Sequence, residues 1–134
     1  ITVSKLSGIS IKDIINSPKK NILAFASAYS KLKKRYGIKG NNFVLEVRII
    51  KELSELPNDN SQSDYPLNSH VYSVLKLLNE DSFAKQFKFS NYRIDLSKVF
   101  GENNLKVLSS KKVYRYGNSY KSEDGTIYNN PDKN

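Results

Sequence analysis

The sequence predicts an α+β fold in which three helices precede a two-stranded β-hairpin. Three observations support this prediction: a long amphipathic stretch at residues 18–37, two later segments with helical spacing, and alternating apolar residues at 86–96. A helix with one apolar stripe cannot bury that stripe alone, so the later segments must cover it. At 134 residues, the chain is long enough for one moderate core.

The stretch from Pro18 to Gly37 is the strongest helical signal in the chain. Ser17 suits the N-cap, proline suits the first helical position, and glycine commonly ends a helix. Spacings of three and four predict one buried face, made of Ile22, Phe25, Ala26, Tyr29, Leu32 and Tyr36. The opposite face is basic and carries Lys19, Lys20, Lys31, Lys33, Lys34 and Arg35.

Two short elements are expected before this helix. Residues 1–6 alternate apolar and polar side chains, which fits either a short strand or the frayed end of a truncated element. Ser10 then caps a brief helix at 11–15. Because the first residue is isoleucine, we expect the chain to be a fragment of a longer protein, with residues 1–17 closing a preceding segment.

The segment after the long helix fits two periods. Every second residue from Phe43 to Ile49 is apolar, as in a strand, but apolar residues also recur every three or four positions. Asn42 as N-cap and the length of the run favour a helix, which Pro57 ends. Residues 57–67 have two prolines and no periodicity, which predicts a loop.

A third helix is expected to begin at Asn68 or Ser69 and to end near Glu80. After it, apolar residues alternate, and their parity shifts at Ser90-Asn91. A turn or bulge there would explain the shift, so residues 86–96 are predicted to form a β-hairpin.

Three helices followed by a two-stranded hairpin is the order of a winged-helix domain, with the third helix as recognition helix and 86–96 as the wing. This assigns residues 18–110 to the winged helix, including a short helical piece after the wing. Residues 111–134 form a C-terminal extension. The extension has strand-like segments at 113–116 and 126–128, and it is either a hairpin or a partly disordered end.

The charge of the chain favours an acidic partner. The net charge is +9, with +7 in residues 1–56 (11 basic, 4 acidic) and +7 in residues 84–121 (9 basic, 2 acidic). Residues 57–83 between them carry −3 (1 basic, 4 acidic). The two basic flanks are expected to meet nucleic acid or another anionic surface, unless the excess of lysine only keeps the protein soluble.

Few residues suit catalysis or metal binding. A chain with no cysteine and one histidine has no disulfide, no His/Cys metal cluster and no cysteine nucleophile. His70 lies near a predicted helix start and fits a solvated or capping role better than a catalytic one. No glycine-rich phosphate loop is present, and no apolar run approaches the length of a membrane span. We expect a non-enzymatic protein without a cofactor.

Cations and aromatic rings interleave in two segments, the predicted wing and the extension. The candidate nucleic-acid contacts are Lys85, Lys88, Arg93, Lys111, Lys112, Arg115 and Lys121. Lysines that neutralise phosphates and tyrosines such as Tyr114, Tyr116 and Tyr120 that stack would bind nucleic acid. Alternatively, the tyrosines pack on the core and the lysines are only solvated.

A second set of candidates is aromatic and would contact protein: Tyr72, Phe83, Phe87, Phe89 and Tyr92. These rings either close the core or, if they are exposed, form a dimerisation patch.

The order of these segments resembles a known family. ITVSKL followed by DIINSPKKNILAFASAY resembles the junction at which the ATPase lid of origin-recognition and cell-division-cycle initiators passes into their C-terminal winged helix. LLNEDSFAKQFKFSNYRIDLSKVFGENNLKVL resembles the end of that module, and residues 92–97 are similar to its closing Arg-x-x-Leu-x-x-Ser segment. The resemblance covers residues 1–110, implies that residues 1–17 are lid-like, and leaves the ATPase motifs outside the chain.

The predicted third helix departs from the DNA-reading members of this family. It offers only Lys76 as a cation, whereas helices that enter a groove bring several polar or basic side chains to the bases. This departure and the long extension suit the silencing branch, the silent information regulators of budding yeast. That resemblance implies a homodimerisation module in a nuclear, chromatin-bound protein of heterochromatin and transcriptional silencing, with other chromatin proteins as partners. The alternative is a DNA-binding winged helix of a replication-origin initiator.

Overall fold

The computed structural model of the chain describes residues 2–57 and 61–129, and it is an α+β protein. The described residues form eight helices and one antiparallel two-stranded sheet: α1 (Thr2–Ser7), α2 (Ile11–Asn16), α3 (Pro18–Arg35), α4 (Phe43–Ser54), α5 (Ser61–Leu78), α6 (Asp81–Gln86), α7 (Leu96–Phe100), α8 (Glu102–Leu108), β1 (Val113–Tyr116) and β2 (Ser119–Ser122). They fall into two compact units, residues 1–55 and 56–134. The predicted domain boundaries at residues 17 and 110 stay a prediction, because compactness alone does not test independent folding.

The long helix α3 is confirmed, and its start is capped as predicted. The Ser17 side chain accepts a hydrogen bond from the Lys20 backbone N–H, and Pro18 occupies the first helical position. The predicted buried face, however, is partly wrong. Ala24, Ala28 and Leu32 are fully buried, whereas Ile22 is 69% exposed. Phe25 and Ala26 are also exposed.

Packing by α1 explains why the buried face of α3 differs from the predicted one. Residues 2–7 form a helix rather than a strand or a frayed end, and the buried Val3 lies in one cluster with Ala24 and Ala28. Two helices approach closely only where the side chains between them are small, so the alanine stripe is covered and its bulkier neighbours remain outside.

The remaining helices of this unit follow the sequence predictions. The Ser10 side chain caps α2 by accepting from the Asp13 N–H, and Asn42 caps α4. In α4 the buried carboxylate of Glu46 accepts from the Tyr29 hydroxyl at 2.8 Å, and the Lys33 ammonium lies 3.5 Å away. These partners compensate the burial of a charge in the core of the unit.

In the second unit the helix α5 begins at Ser61, so the predicted loop over 57–67 is wrong from that residue onward. Residues 58–60 lie outside the described part of the chain. Asp64 and Leu67 are buried in the early turns of α5, and Pro66 is accommodated inside the helix. Tertiary burial of these turns overrides the local signal of the proline.

The predicted hairpin at 86–96 is wrong. The helix α6 ends at Gln86 and α7 begins at Leu96, with an irregular segment between them. Lys88 and Arg93 have positive φ angles of 58° and 48°, which a strand does not accommodate. The Asn79 side chain also holds the backbone of Ile94 through bonds of 2.7 and 2.9 Å. Side-chain bonds and left-handed residues, rather than a turn between strands, produce the shift of parity.

A β-hairpin lies in the extension instead, and its second strand is Ser119–Ser122 rather than the predicted segment at 126–128. Gly117 and Asn118 separate β1 from β2, and Gly117 has a φ of +60°, as the first position of a type II′ turn requires. The predicted strand at 126–128 contributes one further pair, between Ile127 and Lys121. The residues after Asn129, which the disordered-end alternative also covered, lie outside the described part.

Candidate nucleic-acid interface

The register of the hairpin sorts its side chains into two faces. Directly opposed residues share a face, and the pairs are Val113 with Ser122, Tyr114 with Lys121, Arg115 with Tyr120, and Tyr116 with Ser119. We call the face with Val113, Arg115, Tyr120 and Ser122 the inner face. The outer face carries Tyr114, Tyr116, Ser119 and Lys121.

The inner face is packed on the core of the unit. The Tyr120 ring stacks on Tyr65, with centroids 4.1 Å apart and planes 15° from parallel. Val113 and Tyr120 also contact the buried cluster of Val107, Leu108 and Tyr128. The hairpin therefore has a fixed orientation on α5 and α8.

A buried polar network holds the segment next to the hairpin. The Tyr128 hydroxyl donates to Asp64 Oδ2 at 2.7 Å, and Asn68 Nδ2 donates to the Tyr128 hydroxyl at 2.7 Å and to the same carboxylate oxygen at 3.2 Å. Burial, reinforced by the bond to Asp64, raises the pKa of Tyr128 well above its usual value. The tyrosine is thus a neutral donor to a buried carboxylate.

Asp124 fixes the turn that joins β2 to Ile127. Its carboxylate accepts from the Ser122 hydroxyl, from the Thr126 backbone N–H at 3.0 Å and from the Thr126 hydroxyl at 2.8 Å. These hydrogen bonds, the one from Ser122 foremost, lower the pKa of Asp124 to about 2. The ionised carboxylate therefore organises the far end of the hairpin.

The outer face is accessible and combines rings with cations. Tyr114 is 44% exposed and Tyr116 is 61% exposed. The Lys121 ammonium lies 5.5 Å from the centroid of the Tyr116 ring, which is a cation–π distance. Lys111 and Lys112 are exposed immediately before β1. This arrangement offers both phosphate-neutralising and stacking groups.

The predicted contact Arg115 does not share this face. Its guanidinium lies 5.9 Å from the Tyr120 ring on the inner face, and its Nε donates to the Gly117 carbonyl at 3.1 Å. Of the predicted cations in the extension, Lys121 lies beside the Tyr116 ring on the outer face, and Lys111 and Lys112 directly precede β1.

The other predicted cations, Lys85, Lys88 and Arg93, are exposed and alternate along the chain with an aromatic cluster, which we define as Phe83, Phe87, Phe89 and Tyr92. Ring centroids are 4.7 Å apart for Phe83 and Phe87, 5.9 Å for Phe83 and Phe89, and 5.7 Å for Phe89 and Tyr92. Phe83 and Phe89 are half-buried, whereas Phe87 is 58% exposed. Some of these rings are therefore packed and others are accessible, and the dimerisation patch stays a prediction.

Tyr72, the fifth predicted protein contact, lies elsewhere. It is half-buried against the core of the unit, and its ring centroid is 6.1 Å from that of Phe100. It therefore acts in core packing.

Sequence reasoning missed Ile127 and the polar network. Ile127 pairs with Lys121 and so joins the outer face, where it is exposed. The predicted strand at 126–128 contained Ile127 but did not indicate which residue it pairs with. The network joins Asp64 to Tyr128 across 64 positions, and no local pattern reports a contact of that separation.

Other kinds of site were sought in the part of the chain that the structure describes. In residues 2–57 and 61–129, no three side chains of His, Asp or Glu come together as metal ligands would. None of the helices in these ranges has the length and hydropathy needed to cross a bilayer. Comparison with protein families, curated proteins and solved structures finds no significant match.

Proposed function

We propose that the chain is a non-catalytic nucleic-acid-binding module that uses the outer face of its hairpin. The observation that carries the proposal is the shared face of Tyr114, Tyr116 and Lys121, with Lys111 and Lys112 adjacent. Lysines neutralise phosphates, and exposed rings stack on bases or on sugars. Because the inner face does the packing, the outer face remains accessible to a ligand.

The order of elements in the second unit supports a winged-helix arrangement with new assignments. The helix α5 precedes α7 and α8, which Gly101 alone separates, and the hairpin follows. The φ of +82° at Gly101 allows this tight connection. In this proposal the wing is Val113–Ser122 rather than 86–96, and α8 takes the place of the recognition helix.

The composition of α8 favours contact with the nucleic-acid backbone over readout of sequence. Glu102, Asn103 and Lys106 are its exposed polar residues, and Lys106 lies 3.9 Å from Asp124. The carboxylate of Glu102 at the start of this helix repels phosphate. Binding through the hairpin would therefore be largely independent of base sequence.

The salt dependence of binding tests this proposal. Fluorescence anisotropy with a labelled duplex of about 20 base pairs, between about 50 and 200 mM salt, gives the slope of log K against log salt. The test variant is Lys111→Gln, Lys112→Gln and Lys121→Gln. The slope should become less steep by about 0.9 for each phosphate contact removed, or by about 2.7 for the three lysines together.

A variant of the first unit with the same change in charge is the control: Lys19→Gln, Lys34→Gln and Lys39→Gln. It should bind with a slope close to that of the wild type. Equal losses in both variants would show that net charge alone drives binding. A wild type that binds neither this duplex nor a single strand of the same length would refute the proposal.

A second candidate function is protein association through the aromatic cluster. The observation in its favour is the exposure of Phe87 on a support of half-buried rings. This exposure, together with the resemblance to the silencing branch of the origin-recognition initiators, supports a homodimer in a nuclear silencing protein.

Light scattering on the purified chain tests this candidate. A dimer has twice the monomer mass of 15.3 kDa. Phe87→Ser should then restore the monomer mass, whereas Tyr116→Ser, on the outer face of the hairpin, should leave the dimer intact. A wild-type chain that stays monomeric at high concentration would exclude this candidate.

A further inference from the structure

We infer that the outer face of the hairpin takes single-stranded nucleic acid in preference to duplex, an inference that rests on the proposed function. Tyr114 and Tyr116 are two residues apart in β1, so their side chains leave the same face about 6.6–6.8 Å apart. Two accessible rings at that separation suit the splayed bases of a single strand. In a duplex the base faces are already stacked on one another and are closed to protein rings.

The surroundings of the two rings favour the same ligand. Lys121 lies opposite Tyr114 and directs its ammonium toward the Tyr116 ring, at 5.5 Å. A backbone that follows the tyrosines therefore passes a cation between the two stacking positions. Ile127 extends the face by one bridged residue and adds apolar surface that a base can cover.

The packing of the opposite face keeps this surface rigid. Tyr120 is stacked on Tyr65, and Ser122 and Tyr128 are buried, so the hairpin is held from behind. Rings presented on a fixed sheet lose little freedom on binding, which favours stacking as a source of affinity. DNA and RNA single strands share this chemistry, and the choice between them is an outcome of the test.

The test is a comparison of labelled ligands by anisotropy, with the full chain at one salt concentration. The ligands are oligo(dT) and oligo(rU) of about 12 nucleotides and a duplex of the same length. The wild type should bind at least one single strand about tenfold or more tighter than the duplex. The stronger of the two single strands identifies the source.

Matched substitutions separate the rings from the strand that carries them. Valine keeps β-propensity and removes the ring, so Tyr114→Val with Tyr116→Val should weaken single-strand binding by about 30-fold or more. The same variant should change duplex binding by less than about twofold, because a duplex contacts mainly the lysines. Tyr114→Phe with Tyr116→Phe keeps both rings and should stay within about threefold of the wild type.

The outcomes distinguish this inference from the proposed function. Duplex binding that equals or exceeds single-strand binding, with valine variants unchanged, would overturn the stacking platform and leave the proposed function intact. Failure of the wild type to bind any of the three ligands would overturn both.

Discussion

Replacement of Tyr128 by phenylalanine tests whether the buried network holds the second unit together. The ring and its packing remain, and the change removes only a hydroxyl that donates to Asp64 at 2.7 Å and accepts from Asn68 at 2.7 Å. Asp64 is 2% exposed, so water cannot replace the lost donor. Hydrogen bonds to charged groups contribute about 1.5–3 kcal/mol, and we expect Tyr128→Phe to lower the free energy of unfolding by about that amount.

Urea denaturation followed by circular dichroism measures this change. The midpoint should fall while the slope with urea stays constant, because the folded surface is unchanged. The control is Tyr116→Phe, which removes a hydroxyl from an exposed ring and should alter stability by less than about 0.5 kcal/mol.

A double-mutant cycle with Asp64→Ala identifies the partner of the hydroxyl. The two changes remove the same bond, so their combined effect should be smaller than the sum by about 1 kcal/mol or more. Additive effects within about 0.5 kcal/mol would refute the reasoning, as would a stability of Tyr128→Phe equal to that of the wild type.

Three further predictions follow from the same geometry. Because the pKa of Tyr128 is raised in the folded chain, the unfolded tyrosine ionises first, at about pH 10. The contribution of Tyr128 to stability is therefore present below about pH 10 and is lost as the pH rises above it. Urea midpoints measured from pH 8 to 11 should fall less in Tyr128→Phe than in the wild type. Because the pKa of Asp124 is lowered in the folded chain, its contribution to stability is present above about pH 4 and is lost as the pH falls toward 2. The NMR shift of the Thr126 amide should follow this titration, and Asp124→Asn should abolish the pH dependence of that shift. In α3, Leu32→Ala should cost about 2–5 kcal/mol in the free energy of unfolding, whereas Ile22→Ala should cost less than about 0.5 kcal/mol; equal losses by urea denaturation would contradict the observed buried face.

Local signals predicted α2, α3 and α4 well, because the starts of these three helices are determined locally. Ser17 and Pro18 at the start of α3, and Asn42 at the start of α4, bond to or shape the first turn that follows them. The buried face of α3 could not be predicted in the same way. It depends on the position of Val3, which a separate helix brings against Ala24 and Ala28.

The hairpin shows the same contrast. Residues 87–96 alternate like strands, but two left-handed residues and the Asn79 side chain fix them in an irregular path, and neither feature is visible as periodicity. At 113–122 the alternation is supported by a two-residue turn that starts with glycine. Once that turn is known, the pleat alone puts Tyr114 and Tyr116 on one face. The position of Ile127 on that face required the pairing itself.

The most direct test of the account is an NMR titration of the amide-labelled chain with oligo(dT). The account predicts that the largest amide shifts lie at residues 111–122 and near Ile127, and that the amides of Ala24, Ala28 and Leu32 stay unchanged. Shifts confined to residues 2–55, or spectra unaltered by the ligand, would contradict the claim that the outer face of the hairpin binds nucleic acid.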